Sequence, residues 1–210
     1  MANSELRAWN NMKDYEKKTI EYYNSNAEKY ISGTIDADMS NLYGHFLKYL
    51  KPGAAVLDLG CGTGRDSKHF IDEGFDVTAV DGSAKMCACA AELTGLKVRE
   101  VLFEDIDYEQ QFDAVWACAS LLHLSKLDLP GVIAKVRQSL KPGGVFFACF
   151  KYGSGEKECD GRYFSYFDEA GAAELFDEGS GFTVLETFTT GDVREGRGGE
   201  AWMNVIARRG

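Results

Sequence analysis

The segment Val56-Leu57-Asp58-Leu59-Gly60-Cys61-Gly62-Thr63-Gly64-Arg65-Asp66 constrains this chain more than any other. An apolar run ends in GxGxG and opens into a helical pattern, so a buried strand has to turn sharply into a helix. Glycines at alternate positions let the main chain make that turn and let a ligand lie against bare backbone. A strand, a glycine loop and a helix form the first unit of a doubly wound sheet, and the rest of the chain keeps the same rhythm.

Downstream of Ala54–Leu59 and a short helix to Glu73, strands are expected at Val77–Val80, Val98–Phe103, Phe112–Cys118 and Val145–Phe150. Helical patterns fill two of the gaps, one from Ala84 to Leu93 and one with Leu129, Val132, Ile133, Val136 and Leu140 on a single stripe. Lys141-Pro142-Gly143-Gly144 reads as a turn, residues 152–162 as a loop, and Phe167–Glu178 as a helix. Phe182–Phe188 and Ala201–Ala207 are joined by a stretch too short for a helical crossover, so they are expected to be antiparallel neighbours. Before the sheet, Ile20, Tyr23, Ala27, Tyr30 and Ile31, then Met39, Leu42, Tyr43, Phe46, Leu47 and Leu50, recur at helical spacing. The expectation is an α/β unit: a mostly parallel seven-stranded sheet with a reversed last strand over residues 51–210, capped by a helical lid over residues 1–50.

Composition narrows the function classes. The chain has 210 residues, 33 acidic against 23 basic, for a net charge of −10. That balance, without a basic tract, is unsuited to neutralising a phosphate backbone, so no nucleic-acid partner is expected. No run of eighteen apolar residues exists and the first residues lack the pattern of an export signal, so no membrane partner and a cytoplasmic location are expected. The six cysteines then read as reduced, small core residues. Histidines at 45, 69 and 123 and a CxC pair do not make a metal-ligand spacing, so no metal is expected.

The loop admits three readings. It is a turn without a ligand, a dinucleotide site, or a site for S-adenosylmethionine (SAM). Asp81 ends the second strand, next to the first in a doubly wound sheet, so its carboxylate is brought beside the glycine loop where it can accept ribose hydroxyls. A pyrophosphate prefers GxGxxG facing a helix N-terminus; Asp58 before the loop would repel it and suits a ligand carrying an ammonium group.

Asp58-Leu59-Gly60-Cys61-Gly62-Thr63-Gly64 resembles the first motif of the class I SAM-dependent methyltransferases. Phe112-Asp113-Ala114-Val115 and Lys141-Pro142-Gly143-Gly144 are similar to further recurrent features of that family, and the resemblance covers residues 50 to 207. In overall style it is nearest to small bacterial tellurite-resistance-type methyltransferases. The resemblance implies a Rossmann-like fold, SAM as cofactor and methyl transfer to a small-molecule acceptor. It implies that Gly60, Cys61, Gly62 and Gly64 pack against the methionine part of SAM, with Asp58 near the amino group. Asp81 would hold the ribose, followed by Gly82 and Ser83, and Met86 would cover the adenine. Glu104 and Asp105 are both candidates for the adenine amine, and Ala117 or Cys118 for a backbone carbonyl facing the SAM amino group. Arg65 would grip the SAM carboxylate or pair with Asp66. Tyr30, in a segment that resembles the family's lid, would close over the ligand.

His123 follows the fourth strand, where an acceptor pocket should open, and is the candidate general base; the competing reading is a core histidine. Lys151, Tyr152 and Arg162 are candidates to line that pocket. Two other functions use the same loop: SAM binding without turnover, and hydride transfer with a nicotinamide.

Overall fold

The computed structural model describes residues 12–194 and 196–210, and of Glu178 only the backbone. Residues 1–11 of the expected lid, with the expected absence of an export signal, lie outside the described residues.

Two helices lead in: α1 (Asp14–Thr34) and α2 (Ser40–Leu47). The first winding follows as β1 (Ala55–Leu59), α3 (Arg65–Asp72), β2 (Asp76–Asp81), α4 (Ala84–Thr94) and β3 (Arg99–Glu100). The second comprises β4 (Phe112–Ala117), α5 (Leu129–Ser139) and β5 (Leu140–Tyr152). Then come β6 (Glu156–Cys159), β7 (Arg162–Phe167), α6 (Glu169–Leu175), β8 (Phe182–Gly191) and β9 (Ala201–Arg209). The sheet core runs β3-β2-β1-β4-β5-β9-β8, parallel except for β9, which is antiparallel to both neighbours. The reversed last strand and its antiparallel partner are as the sequence implies.

Among the described residues the expected seven strands are joined by two more, making nine. The stretch read as a loop contains the β6–β7 hairpin, and Phe167 ends β7 rather than starting a helix. Its turn is Asp160-Gly161 with φ of 51° and 75°, the two left-handed residues that a tight hairpin needs. β7 joins β5 only at Lys151 and Tyr152, past the end of β4, so the hairpin stands over the C-terminal edge of the sheet. The third strand shrinks to two residues, because the chain leaves the sheet edge for a 3-10 turn at Phe103–Asp105. Lys141-Pro142-Gly143-Gly144 forms a bulge within β5: Leu140 pairs with Phe112, and Val145 resumes opposite Ala114.

Burial on both faces explains the unbroken apolar runs of β1, β4 and β5. On one face Trp116 stacks on Phe147, ring centroids 4.0 Å apart, beside Phe46 of α2 and Phe70 of α3. On the other, Phe146 meets Phe176 and Phe182 near the α5 stripe. Because Phe46 is fully buried in the first cluster, α2 is part of the core, and only α1 lies across the sheet end as a cover. α1 bends at Asn26, where the side-chain amide donates to the Tyr22 carbonyl at 2.8 Å and the backbone leaves helical geometry. No helix among the described residues is long and apolar enough to cross a membrane.

Candidate functional site

Two cavities open at the C-terminal ends of the central strands, where doubly wound sheets bind ligands. They share a wall that includes Tyr23, Tyr30, Arg65, Cys118, Ala119 and His123. The first, of about 120 Å³, runs from the glycine loop to Glu104; the second, of about 460 Å³, runs under α1 toward the β8–β9 turn.

The glycines have separate tasks. A Cβ on Gly60 would sit 2.4 Å from Ser120 Cβ, and one on Gly64 would sit 2.9 Å from the Ala90 backbone, so these two permit close packing. A Cβ on Gly62 would meet only the Tyr30 ring, at 3.8 Å, and would intrude into the first cavity. Asp81 ties the loop to the next turn by accepting the Gly62 N–H at 2.9 Å and the Ser83 N–H at 2.8 Å. Burial raises its pKa, and those bonds oppose the rise. Ser83 caps α4 by accepting the Met86 N–H and donates its hydroxyl to Asn24 of α1 at 2.6 Å, so the cover is latched to the loop.

Of the residues expected at the cofactor, Tyr30, Gly60, Cys61, Gly62, Arg65, Asp81, Gly82, Ser83, Met86, Glu104 and Cys118 line the first cavity. Four do not, and the reasons are local. Asp58 is buried beneath the loop and accepts the Ser67 hydroxyl at 2.6 Å; burial and then Asp66 push its carboxyl up to about 8. Gly64 starts α3 against α4. Asp105 points to solvent because the 3-10 turn delivers Glu104 inward instead. Ala117 is still within β4 and fully buried, whereas Cys118 has left the strand. The next residue, Ala119, has φ of 51°, a strained geometry for a non-glycine residue, and lines both cavities. Sequence reasoning missed it, and also Ser120, Phe103, and Glu16, Thr19 and Ile20 of α1, all of which face the first cavity.

Arg65 is neither purely a surface residue nor free. Its Nε donates to Asp66 at 2.7 Å and an Nη to the Thr34 carbonyl at 3.2 Å, while the side chain faces both cavities. Asp66 also accepts Tyr43 Oη at 2.7 Å and Trp116 Nε1 at 2.8 Å. Burial pushes the Asp66 carboxyl up, but the Arg65 charge and the hydrogen bonds outweigh it and hold the pKa below the usual range. At the far end, burial and then the neighbouring Glu16 raise Glu104 to about 7.

His123 is buried, and both ring nitrogens have partners. Nδ1 lies 2.6 Å from the Tyr163 carbonyl, which only accepts, so Nδ1 carries the proton. Nε2 therefore accepts the Tyr23 hydroxyl at 2.8 Å. Burial lowers the imidazole pKa to about 4, with Arg162 and Lys151 adding to the effect, so the ring is neutral at pH 7. Burial raises the Tyr23 phenol. The histidine thus fixes Tyr23 on the shared wall. Lys151 and Arg162 line the second cavity; Tyr152 does not, being exposed and bonded to Glu169 at 2.9 Å.

Residues 56–144 match the methyltransferase domain family. The match runs from β1 to the bulge in β5, less than half of the chain. The chain is 36% identical over 124 residues to malonyl-[acyl-carrier protein] O-methyltransferase of Pectobacterium atrosepticum, covering 56% of this chain and 48% of that one. It is 33% identical over 115 residues to a sterol 24-C-methyltransferase of Gibberella zeae, covering 49% of this chain and 30% of that one. The chain therefore spans less than half the length of these curated relatives. Its fold is similar to that of Burkholderia thailandensis 1,6-didemethyltoxoflavin-N1-methyltransferase, solved with 1,6-didemethyltoxoflavin and S-adenosylhomocysteine bound. The TM-score is 0.75, with 23% identity over 94% of this chain and 91% of that one.

Proposed function

We propose that the protein transfers the methyl group of SAM to a small-molecule acceptor, with SAM in the first cavity and the acceptor in the second. The observation that carries this reading is the shared wall: two chambers of unequal size meet at Tyr23, Tyr30, Arg65, Cys118, Ala119 and His123.

The first cavity fits an adenosyl sulfonium. Asp81 offers a carboxylate beside the glycine loop for ribose hydroxyls, Met86, Leu102 and Ile20 offer apolar surface for a base, and Gly62 leaves its Cα bare. Bound there, SAM supplies a methyl group on a positively charged sulfur, and in-line attack moves that bond's electron pair onto sulfur while the acceptor's lone pair forms the new bond. The chain's own work is alignment: α1, latched through Asn24 and held by Tyr23 to His123, covers the junction and excludes water. In this reading His123 is a positioning residue that acts through Tyr23. A nicotinamide dinucleotide is the poorer fit. The helix start that would face its pyrophosphate carries Asp66 in its first turn, and Gly64 there packs against Ala90.

The test is thermal unfolding with SAM, S-adenosylhomocysteine, NAD and NADP. Ligand at a hundredfold excess over its dissociation constant stabilises by about 2.7 kcal/mol, or about 5–10 °C for a chain of this length. A shift with the two adenosyl sulfur compounds and none with the nicotinamides supports the reading; no shift with either sulfur compound refutes it. Turnover of SAM with an added acceptor then separates an enzyme from a binding protein.

A further inference from the structure

The second cavity holds five cationic side chains, Arg65, Lys151, Arg162, Arg194 and Arg197, against two carboxylates, Asp38 and Asp192. Most of these charges are answered. Arg65 pairs with Asp66, Arg194 pairs with Asp192, and Glu200 takes Lys151 at 2.6 Å and Arg197 at 3.2 Å. Arg162 alone has no carboxylate partner among the described residues. Its Nε is buried and makes no hydrogen bond. Of the acids on its own hairpin, Glu156 accepts the Lys126 N–H and Glu158 pairs with Lys18, while the exposed Asp160 makes no ion pair with it among the described residues.

The strand and two aromatic rings set the position of Arg162. It is the first residue of β7, directly after the Asp160-Gly161 turn, on the same strand face as Phe164. Its guanidinium lies 4.2 Å from the Tyr22 ring of α1 and 5.1 Å from the Phe164 ring. Stacking accounts for the orientation of the group. It leaves the positive charge without a carboxylate partner among the described residues and the buried Nε without an acceptor, in a protein whose net charge is −10. A half-buried, oriented guanidinium lacking a carboxylate partner is matched by a planar oxyanion on a ligand.

We propose that the acceptor is a small aromatic or otherwise planar molecule bearing a carboxylate, held by Arg162 in the second cavity. This deepens the methyl-transfer reading and rests on it. The charge balance selects a carboxylate over a phosphate. Among the described residues the cavity's cations, together with Asp38, Asp192, Asp66 and Glu200, leave an excess of one positive charge, and a dianion would overshoot it. The aromatic walls, Tyr23, Phe164 and Trp202, suit a flat body behind that group.

The experiment is calorimetric titration of the protein loaded with S-adenosylhomocysteine. The probes are benzoate, 2-hydroxybenzoate and phenylacetate, against benzamide and phenyl phosphate. The expected result is at least one carboxylate binding ten times or more tighter than benzamide and tighter than phenyl phosphate. R162M should remove that preference while S-adenosylhomocysteine affinity stays within twofold, and R162K should retain part of it. If R162M does not fold, R162K and the wild-type carboxylate-to-amide ratio carry the test. The proposal is overturned if no carboxylate binds at 10 mM, if the amide or the phosphate binds as well, or if the preference survives in R162M. Failure of the wild type to bind S-adenosylhomocysteine would instead sink the methyl-transfer reading, so the two failures are distinguishable.

Discussion

Removing the Asp66 carboxylate should destabilise the fold severely, and its magnitude can be worked from the contacts. Asp66 accepts three hydrogen bonds within 2.8 Å, from Arg65, Tyr43 and Trp116. In Asp66→Ala the Arg65 guanidinium loses its counterion, which for a buried pair costs about 3–5 kcal/mol. Each orphaned donor adds about 1–3 kcal/mol when water cannot replace the acceptor. Water will reach part of this space, since 21% of the Arg65 side chain is exposed, so we expect a net loss of about 5 kcal/mol. For 210 residues that lowers Tm by about 10–20 °C. The assay is urea unfolding of the wild type, Asp66→Ala, Arg65→Met and the double variant. Arg65→Met should recover about 2 kcal/mol in the Asp66→Ala background, because it removes the stranded charge. A loss under about 1 kcal/mol in Asp66→Ala, or a cycle without coupling, would refute the argument that this junction is dry and tightly satisfied.

Four further outcomes are expected. Gly62→Val should lower S-adenosylhomocysteine affinity more than a hundredfold in a folded protein, since the side chain enters the first cavity; calorimetry showing normal affinity would contradict it. Asp81→Ala should weaken the same ligand by about 1–3 kcal/mol, through loss of a charged acceptor, and unchanged affinity removes Asp81 from the site. The folded pKa of His123 is about 4 against 6.5 unfolded, so the unfolded state binds the extra proton between those values. Stability should therefore rise with pH from about 4 to 6.5 by up to about 3 kcal/mol. His123→Gln should flatten that slope in urea midpoints measured against pH. Glu104 acts in the opposite sense: with its pKa raised to about 7, its contribution is full below pH 4.5 and lost as pH rises through 7. Glu104→Gln should remove that decline, and an unaltered profile would refute the raised pKa.

The parallel core was legible because burial on both faces writes itself as apolar runs, and the glycine loop because only glycine fits next to Ser120 and Ala90. The β6–β7 hairpin was not legible from periodicity. Glu156–Cys159 is polar on both faces, and only Asp160-Gly161 marked a turn. That omission left Arg162 and Phe164 without a position and hid the partner of His123 Nδ1, the Tyr163 carbonyl. Glu104 and Asp105 are adjacent acids that pattern alone does not separate; the 3-10 turn decides between them. Asp58 lies off the cavity wall for a different reason. A carboxylate in a strand that ends at a ligand loop points either up or down, and Ser67 on α3 draws this one down. Ala119 could not be found at all, since nothing in its side chain announces a positive φ.

Apart from the wall they share, the two chambers draw most of their linings from different stretches of chain. Thr189, Thr190, Asp192, Arg194 and Trp202, with Arg162 and Phe164, line only the second, and all fall outside the segment matched by the family. The glycine loop, Asp81 and Glu104 fall inside it and line only the first. If the first chamber holds the methyl donor, exchanges in the β6–β7 and β8–β9 hairpins would change what the second admits while the glycine loop keeps its hydrogen bond to Asp81.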